Sequence, residues 1–208
     1  MMTNVRLDPR KRPDRVCLFF IASGQAGYFT AQQAHGCGFS RALLSHHVKS
    51  GRFIHIRRGL YRFSEYPSSS REHVLAAWLA VGKDVAVVSH ESALDLLDLS
   101  DIIPDAVHLT VPRSRRSVPS VWGVKIHTTE RPIARSERWE REGVAITSPT
   151  RSILDAAEKG AGLEQIELAV VQAVERGLAS TEELRRAASD RSRRVAELID
   201  GALRKVTA

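Results

Sequence analysis

The side chains of this sequence best suited to chemistry are cationic, and the chemistry they suit is recognition of a polyanion. Arg41, Ser45 and Lys49 fall at i, i+4 and i+8 with His46 beside them, so a helix over this stretch carries all four on one face. An Arg near the start of such a helix offers paired donors to guanine O6 and N7, and a Lys further along is placed for phosphate. Arg57, Arg58 and Arg62 follow in a β-prone stretch, where they would grip the backbone or the minor groove.

Spacing excludes other chemistries. There is no Walker A loop, no G-x-G-x-x-G, no G-x-S-x-G, and no second His after His90-Glu91 to complete H-E-x-x-H. A restriction-type nuclease needs Asp/Glu-x-Lys. The residues two before Lys11, Lys49, Lys83, Lys125, Lys159 and Lys205 are Pro9, His47, Val81, Gly123, Ala157 and Leu203, none of them acidic. His46-His47 with His35 or His55 match no metal-ligand spacing. Asp95, Asp98, Asp101 and Asp105 read as solvated acids near an amphipathic helix end. The expectation is a chain without catalytic residues, metal ligands or cofactor.

The cations need elements to hold them. Pro13 suits position N1 of a helix with Val16, Phe19, Phe20 and Ser23 at helical spacing, closed by Gly24. Thr30-Ala31-Gln32-Gln33 is a capping box that starts a second, very short helix. Gly36-Cys37-Gly38 is a turn. Ser40 caps a third helix over residues 41–50, stopped by Gly51, with Leu44, His47 and Val48 facing inward. Residues 52–63 read as two β-prone runs around Arg57-Arg58-Gly59, where Gly59 supplies the positive φ of a hairpin. This order is that of a winged helix-turn-helix.

Pro67-Ser68-Ser69-Ser70 marks a linker. The expected domains are therefore a winged helix-turn-helix at 1–66 and a mixed α/β domain at 67–208, an α/β (α+β) fold overall. The second half reads as a helix over 71–81, a strand over 85–88 and a helix capped by Ser89 and running to Leu97. Strands follow over 107–111, 124–128 and 144–147, then a helix started by Ser148-Pro149 and a helical last 45 residues with a capping box at Ser180-Thr181-Glu182-Glu183.

The 208 residues, 43% hydrophobic and 26% charged, have a globular composition that argues against a fibre or a disordered tail. Residues 1–66 hold 11 Lys/Arg against three acids, a net of +8, whereas residues 67–208 hold 20 bases against 21 acids. A basic module on a neutral body points to nucleic acid and away from proteins basic throughout. Residues 1–12 read as a loosely held basic arm. Arg10-Lys11-Arg12 before the seven apolar residues 16–22 mimics a signal peptide, but no small-x-small site follows and no run approaches a bilayer span. Cys17 and Cys37 read as reduced, half-buried thiols of a cytoplasmic protein.

Several motifs together resemble a known family. Gly27-Tyr28-Phe29-Thr30-Ala31, Ser50-Gly51-Arg52-Phe53 and Arg57-Arg58-Gly59-Leu60-Tyr61 look like the N-terminal winged helix of the AbiEi-type antitoxins. Ser89-His90-Glu91-Ser92-Ala93-Leu94, Val107-His108-Leu109-Thr110-Val111-Pro112 and the run from Ile146 through Ala157 are similar to that family's central block. The resemblance spans roughly residues 13–160 in order. It implies a bacterial toxin–antitoxin or abortive-infection operon and a nucleotidyltransferase-like toxin as partner. It also implies repression of the chain's own operon by promoter binding through the N-terminal domain, with antitoxicity in the C-terminal one. No Gly-Ser followed by Asp-x-Asp is present, so the likeness is to the antitoxin and not the toxin. A monomer without membrane association is expected. Two alternatives stay open: a stand-alone winged-helix repressor, and a degenerate relative of proteins that fuse these blocks to a very-short-patch-repair-type nuclease.

Overall fold

Asp14 caps the first helix, so Arg15 and not Pro13 takes position N1. The Asp14 carboxylate accepts the Cys17 N–H at 2.9 Å, which places Pro13 outside the helix α1 (Arg15–Ser23). The structure, a computed structural model, describes residues 12–118 and 120–206, so the expected basic arm lies almost wholly outside it. Helix α1 buries Leu18 and Ala22, while Val16 and Phe20 are 80% and 83% exposed. The expected apolar face is thus the wrong one. Residues 16–22 are apolar all round, so spacing alone could not select the side that faces the core.

Strand β1 (Tyr28–Thr30) follows, then helices α2 (Ala31–Gly36) and α3 (Arg41–Lys49), and strands β2 (Phe53–Arg57) and β3 (Leu60–Phe63). The strands form one antiparallel sheet in the order β1-β3-β2. The Thr30 capping box is complete, Ser40 caps α3 through the Leu43 N–H, and Gly51 and Gly59 take the expected positive φ. Strand β1 was not anticipated: three residues are too few to show alternation, and their pairing with β3 is tertiary. Phe29, Phe53 and Phe63, with ring centroids 4.9–5.3 Å apart, form the centre of the core with Leu18 and Leu44.

The cysteines depart from expectation. Cys17 on α1 and Cys37 just after α2 form a disulfide, with Cα atoms 5.9 Å apart. The Asp14 N–H donates to the Cys37 carbonyl at 2.8 Å, so helix packing brings together two residues that a compartment argument treats separately. Gly27 is equally constrained. At φ +83° a Cβ there would stand 2.5 Å from Tyr66 Cβ, and Tyr66 is itself held by its hydroxyl on the Ser23 carbonyl. Gly27→Ala is expected to cost about 2 kcal/mol or more in urea unfolding.

Helix α4 (Glu72–Val81) ends where the chain divides into two compact units, between Ala80 and Val81. The second unit contains β4 (Val87–Val88), α5 (His90–Leu96), β5 (Val107–Pro112), β6 (Val124–Thr129), β7 (Arg138–Arg141) and β8 (Val144–Thr147). Helices α6 (Pro149–Glu158), α7 (Leu163–Glu175), α8 (Thr181–Ser189) and α9 (Arg193–Val206) complete it. Its sheet has the order β6-β5-β4-β8-β7; β4 pairs antiparallel to β5 and parallel to β8. Leu94, Leu109, Ile146, Ile153 and Leu154 are buried about it. The protein is therefore a mixed α+β fold with two small sheets. Edge strand β7 was not anticipated, because Arg138-Trp139-Glu140-Arg141 is exposed throughout and shows no apolar alternation.

Two caps are spent differently from expectation. Ser89 precedes α5 but makes no capping bond; its Oγ lies 2.7 Å from Thr110 Oγ1 and 2.8 Å from His90 Nδ1. Ser180 accepts the Glu183 N–H, but the Glu183 carboxylate accepts from Thr150 Oγ1 at 2.8 Å and so ties α8 to the start of α6.

Candidate nucleic-acid interface

The Ser40 cap fixes where α3 begins, and buried Leu44 fixes how it is rotated. With that face inward, Arg41, Ser45, His46 and Lys49 are all exposed. His47 turns to the core edge, its ring centroid 4.9 Å from that of Phe53 and 5.8 Å from that of Phe39. Burial, with Arg52 nearby, holds its pKa below the ordinary value and favours the neutral ring.

In the hairpin, Arg58 is exposed beside Gly59 and Arg57 is half-buried next to a bulge between His55 and Arg57. Arg62 does not join them. It is 5% exposed, its Nη2 donates to the Tyr66 and Pro67 carbonyls at 2.8 Å, and it pairs with Glu72 at 3.2 Å. Its guanidinium also lies 5.5 Å from the centre of the Tyr28 ring. The reason is strand alternation: Arg62 stands opposite Tyr28 and Ile54 in the middle of the three-stranded sheet, and its side chain secures the segment leading into α4. Arg52, exposed at the head of the hairpin, is a cation that the spacing argument passed over. The exposed surface thus combines a guanidinium, a hydroxyl, an imidazole and an ammonium on one helix with arginines on the hairpin. Such a surface can donate to base edges and phosphates together.

The charges of the second unit are largely paired among themselves. Asp155 accepts from Arg151 Nε and Arg191 Nη2, each at 2.7 Å, and Arg151 also reaches Glu137 at 3.4 Å. Glu137, Arg151 and Arg191 line a cleft of about 510 Å³. Burial alone would raise the Glu137 carboxyl, but the Ala134 N–H, Arg151 and Arg131 together hold it below the ordinary value. A lowered folded pKa contributes stability that is present above the unfolded value and lost as pH falls through the folded one. The stability difference between the native chain and Glu137→Gln, read by urea unfolding, is expected to be full at pH 7 and to vanish at acid pH.

The four expected solvated acids form no metal-sized cluster among the described residues; Asp98 pairs with Arg141 at 3.4 Å. Three residues that spacing did not connect do gather: His90, His108 and His127. Burial, with repulsion from the neighbouring rings, pulls His90 down to about 2 and His127 to about 4, and burial with Lys125 nearby lowers His108 as well.

A helix-strand-helix-helix-hairpin unit with a three-stranded sheet is a winged helix-turn-helix. Residues 18–64, nearly the whole of that unit, match the model of the family described as transcriptional regulator, AbiEi antitoxin, the same family the motifs resemble. The crystal structure of the RV2827C protein from Mycobacterium tuberculosis is similar to this chain with a TM-score of 0.60. The likeness covers 94% of this chain and 80% of that one at 18% identity, and at that identity it shows a shared fold. No curated protein matches the chain. No helix among the described residues is long and apolar enough to cross a membrane.

Proposed function

We propose that this chain is a DNA-binding autorepressor and antitoxin, which represses its own operon through the winged unit and neutralises a nucleotidyltransferase-like toxin. The observation that carries the reading is a coincidence of position. The antitoxin-regulator family match falls on the unit whose α3 exposes Arg41, Ser45, His46 and Lys49 on one face. In a helix-turn-helix that helix lies in the major groove, and here Arg58 and the half-buried Arg57 would hold the adjacent backbone. Arg62 has no part in the interface. The domain roles follow the expected division, with DNA recognition in the winged module and antitoxicity in the α/β part. The protein acts in the cytoplasm, where its operator is, as a monomer without enzymatic activity. Support for the antitoxin half is the family match together with the motif resemblance through residue 160.

Co-expression with the chromosomal neighbour tests both halves. The full chain is expected to rescue growth and silence a reporter fused to the promoter. The full chain carrying Arg41→Ala and Lys49→Ala is expected to rescue growth while the reporter stays on. A neighbour that is not toxic, or growth that the full chain does not rescue, contradicts the antitoxin half.

A further inference from the structure

The histidines of the second unit converge in a way that neither DNA recognition nor packing explains. The Ser89 N–H donates to the His108 carbonyl at 3.0 Å, and the chain then turns at once into α5 through His90 at φ +54°. A non-glycine residue in that region carries backbone strain, and here it places an imidazole over β5 and β6. His108 and Thr110 lie two apart on one face of β5, and His127 stands opposite Thr110 on β6, so both imidazoles rise from that face. The ring centroid of His90 lies 3.7 Å from that of His127 and 5.8 Å from that of His108, and His108 and His127 are 5.1 Å apart. One nitrogen from each ring lies within 4.8 Å of the others.

Hydrogen bonding around the cluster is one-sided. His90 Nδ1 meets Ser89 Oγ, itself fixed by Thr110, which leaves Nε2 for another partner. Glu91 Oε2 is 3.5 Å from His108 Nε2 but not aligned for a hydrogen bond. Both nitrogens of His108, which is 3% exposed, and Nε2 of His127 are buried without any hydrogen-bond partner. Each such group carries a desolvation penalty that apolar residues at these positions would avoid. A hydroxyl or carboxylate at the outer nitrogen, with a free lone pair inside, is how ligating imidazoles are held.

We infer that His90, His108 and His127 are the protein ligands of a single divalent ion, with zinc the ion that this set fits. Three imidazoles without thiolate or carboxylate suit a borderline-soft ion, and three protein ligands leave a fourth position open. Nitrogens sharing a tetrahedral zinc sit about 3.3 Å apart, so closing the 4.8 Å spread takes shifts of about 1 Å, chiefly unstacking His90 from His127. His90 and His127 also line a cleft of about 390 Å³ whose ionic groups are Arg151, Lys159, Arg191, Glu130, Asp155 and Glu158, so the cluster borders open space in which a fourth ligand such as water has room. The inference is independent of the antitoxin reading.

The test uses the full chain, stripped with EDTA and free of any histidine tag. Co²⁺ is expected to bind at one equivalent and give the intense visible absorption of a four-coordinate site, which Zn²⁺ then displaces. His108→Gln with His127→Asn is expected to weaken Zn²⁺ binding by at least about 100-fold, while His55→Ala in the first unit leaves it unchanged. Stoichiometric binding that survives the double substitution overturns the inference. So does a native chain that shows no four-coordinate Co²⁺ spectrum, a result that needs no variant to fold.

Discussion

Replacing Arg41 and Lys49 together with alanine is expected to weaken binding to DNA from the chain's own promoter by about 2–4 kcal/mol, roughly 30- to 1,000-fold. Arg41 sits in the first turn of α3, where side chains of a recognition helix reach base edges, and Lys49 at the last turn is placed for phosphate. Both are exposed and neither has a carboxylate within ion-pair distance among the described residues, so their removal leaves the core intact. The two contributions separate by sequence dependence. Arg41→Ala alone should relax the preference at one base position, whereas Arg58→Ala should weaken operator and random DNA alike and lower the salt slope by about one. Binding titrations on both DNAs at two salt concentrations check this; equal losses for Arg41→Ala on operator and random DNA would remove it from base readout.

The second large effect is on stability. Asp155→Ala is expected to cost about 3–5 kcal/mol in urea unfolding of the full chain, because it takes the shared partner from two guanidinium groups in a poorly solvated site and leaves Arg151 only its 3.4 Å contact with Glu137. The carboxylate is the shared partner of Arg151 and Arg191, and the side chains of Asp155 and Arg151 are only 7% and 10% exposed. Through Arg191 it joins α6 to the segment between α8 and α9. Replacing the pair outright, with Arg151→Met and Asp155→Leu, should cost much less than the single change, since no charge is then stranded apart from the more exposed Arg191. A loss below about 1 kcal/mol for Asp155→Ala would show that the network is solvated in solution.

What the sequence disclosed depended on whether the governing interaction was local. The Thr30 and Ser40 caps, Gly51 and Gly59 act within a few residues of themselves, and all four stand where the pattern put them. The exposed face of α3 was legible for the same reason, since Leu44 and Val48 fix its rotation. The buried face of α1 was not, because residues 16–22 offer apolar side chains in every direction. Arg62 was misplaced because its orientation depends on a three-stranded sheet whose first strand is three residues long. The disulfide and the histidine cluster were out of reach for a related reason. Cys17 and Cys37 are 20 residues apart, and the three histidines meet only through the pairing of β4, β5 and β6. Ser89 illustrates the limit most directly: a cap by its position, it is drawn into the histidine cluster by a neighbour 21 residues away.

The winged unit is expected to read the promoter of its own operon. The most direct measurement is the affinity of the full chain for that promoter fragment against a shuffled fragment of equal length, at physiological salt, with the protected bases mapped by footprinting. The expected result is a preference of at least about 1,000-fold, with protection over discrete sites in the promoter. Equal affinity for the two fragments, with no footprint, would contradict it.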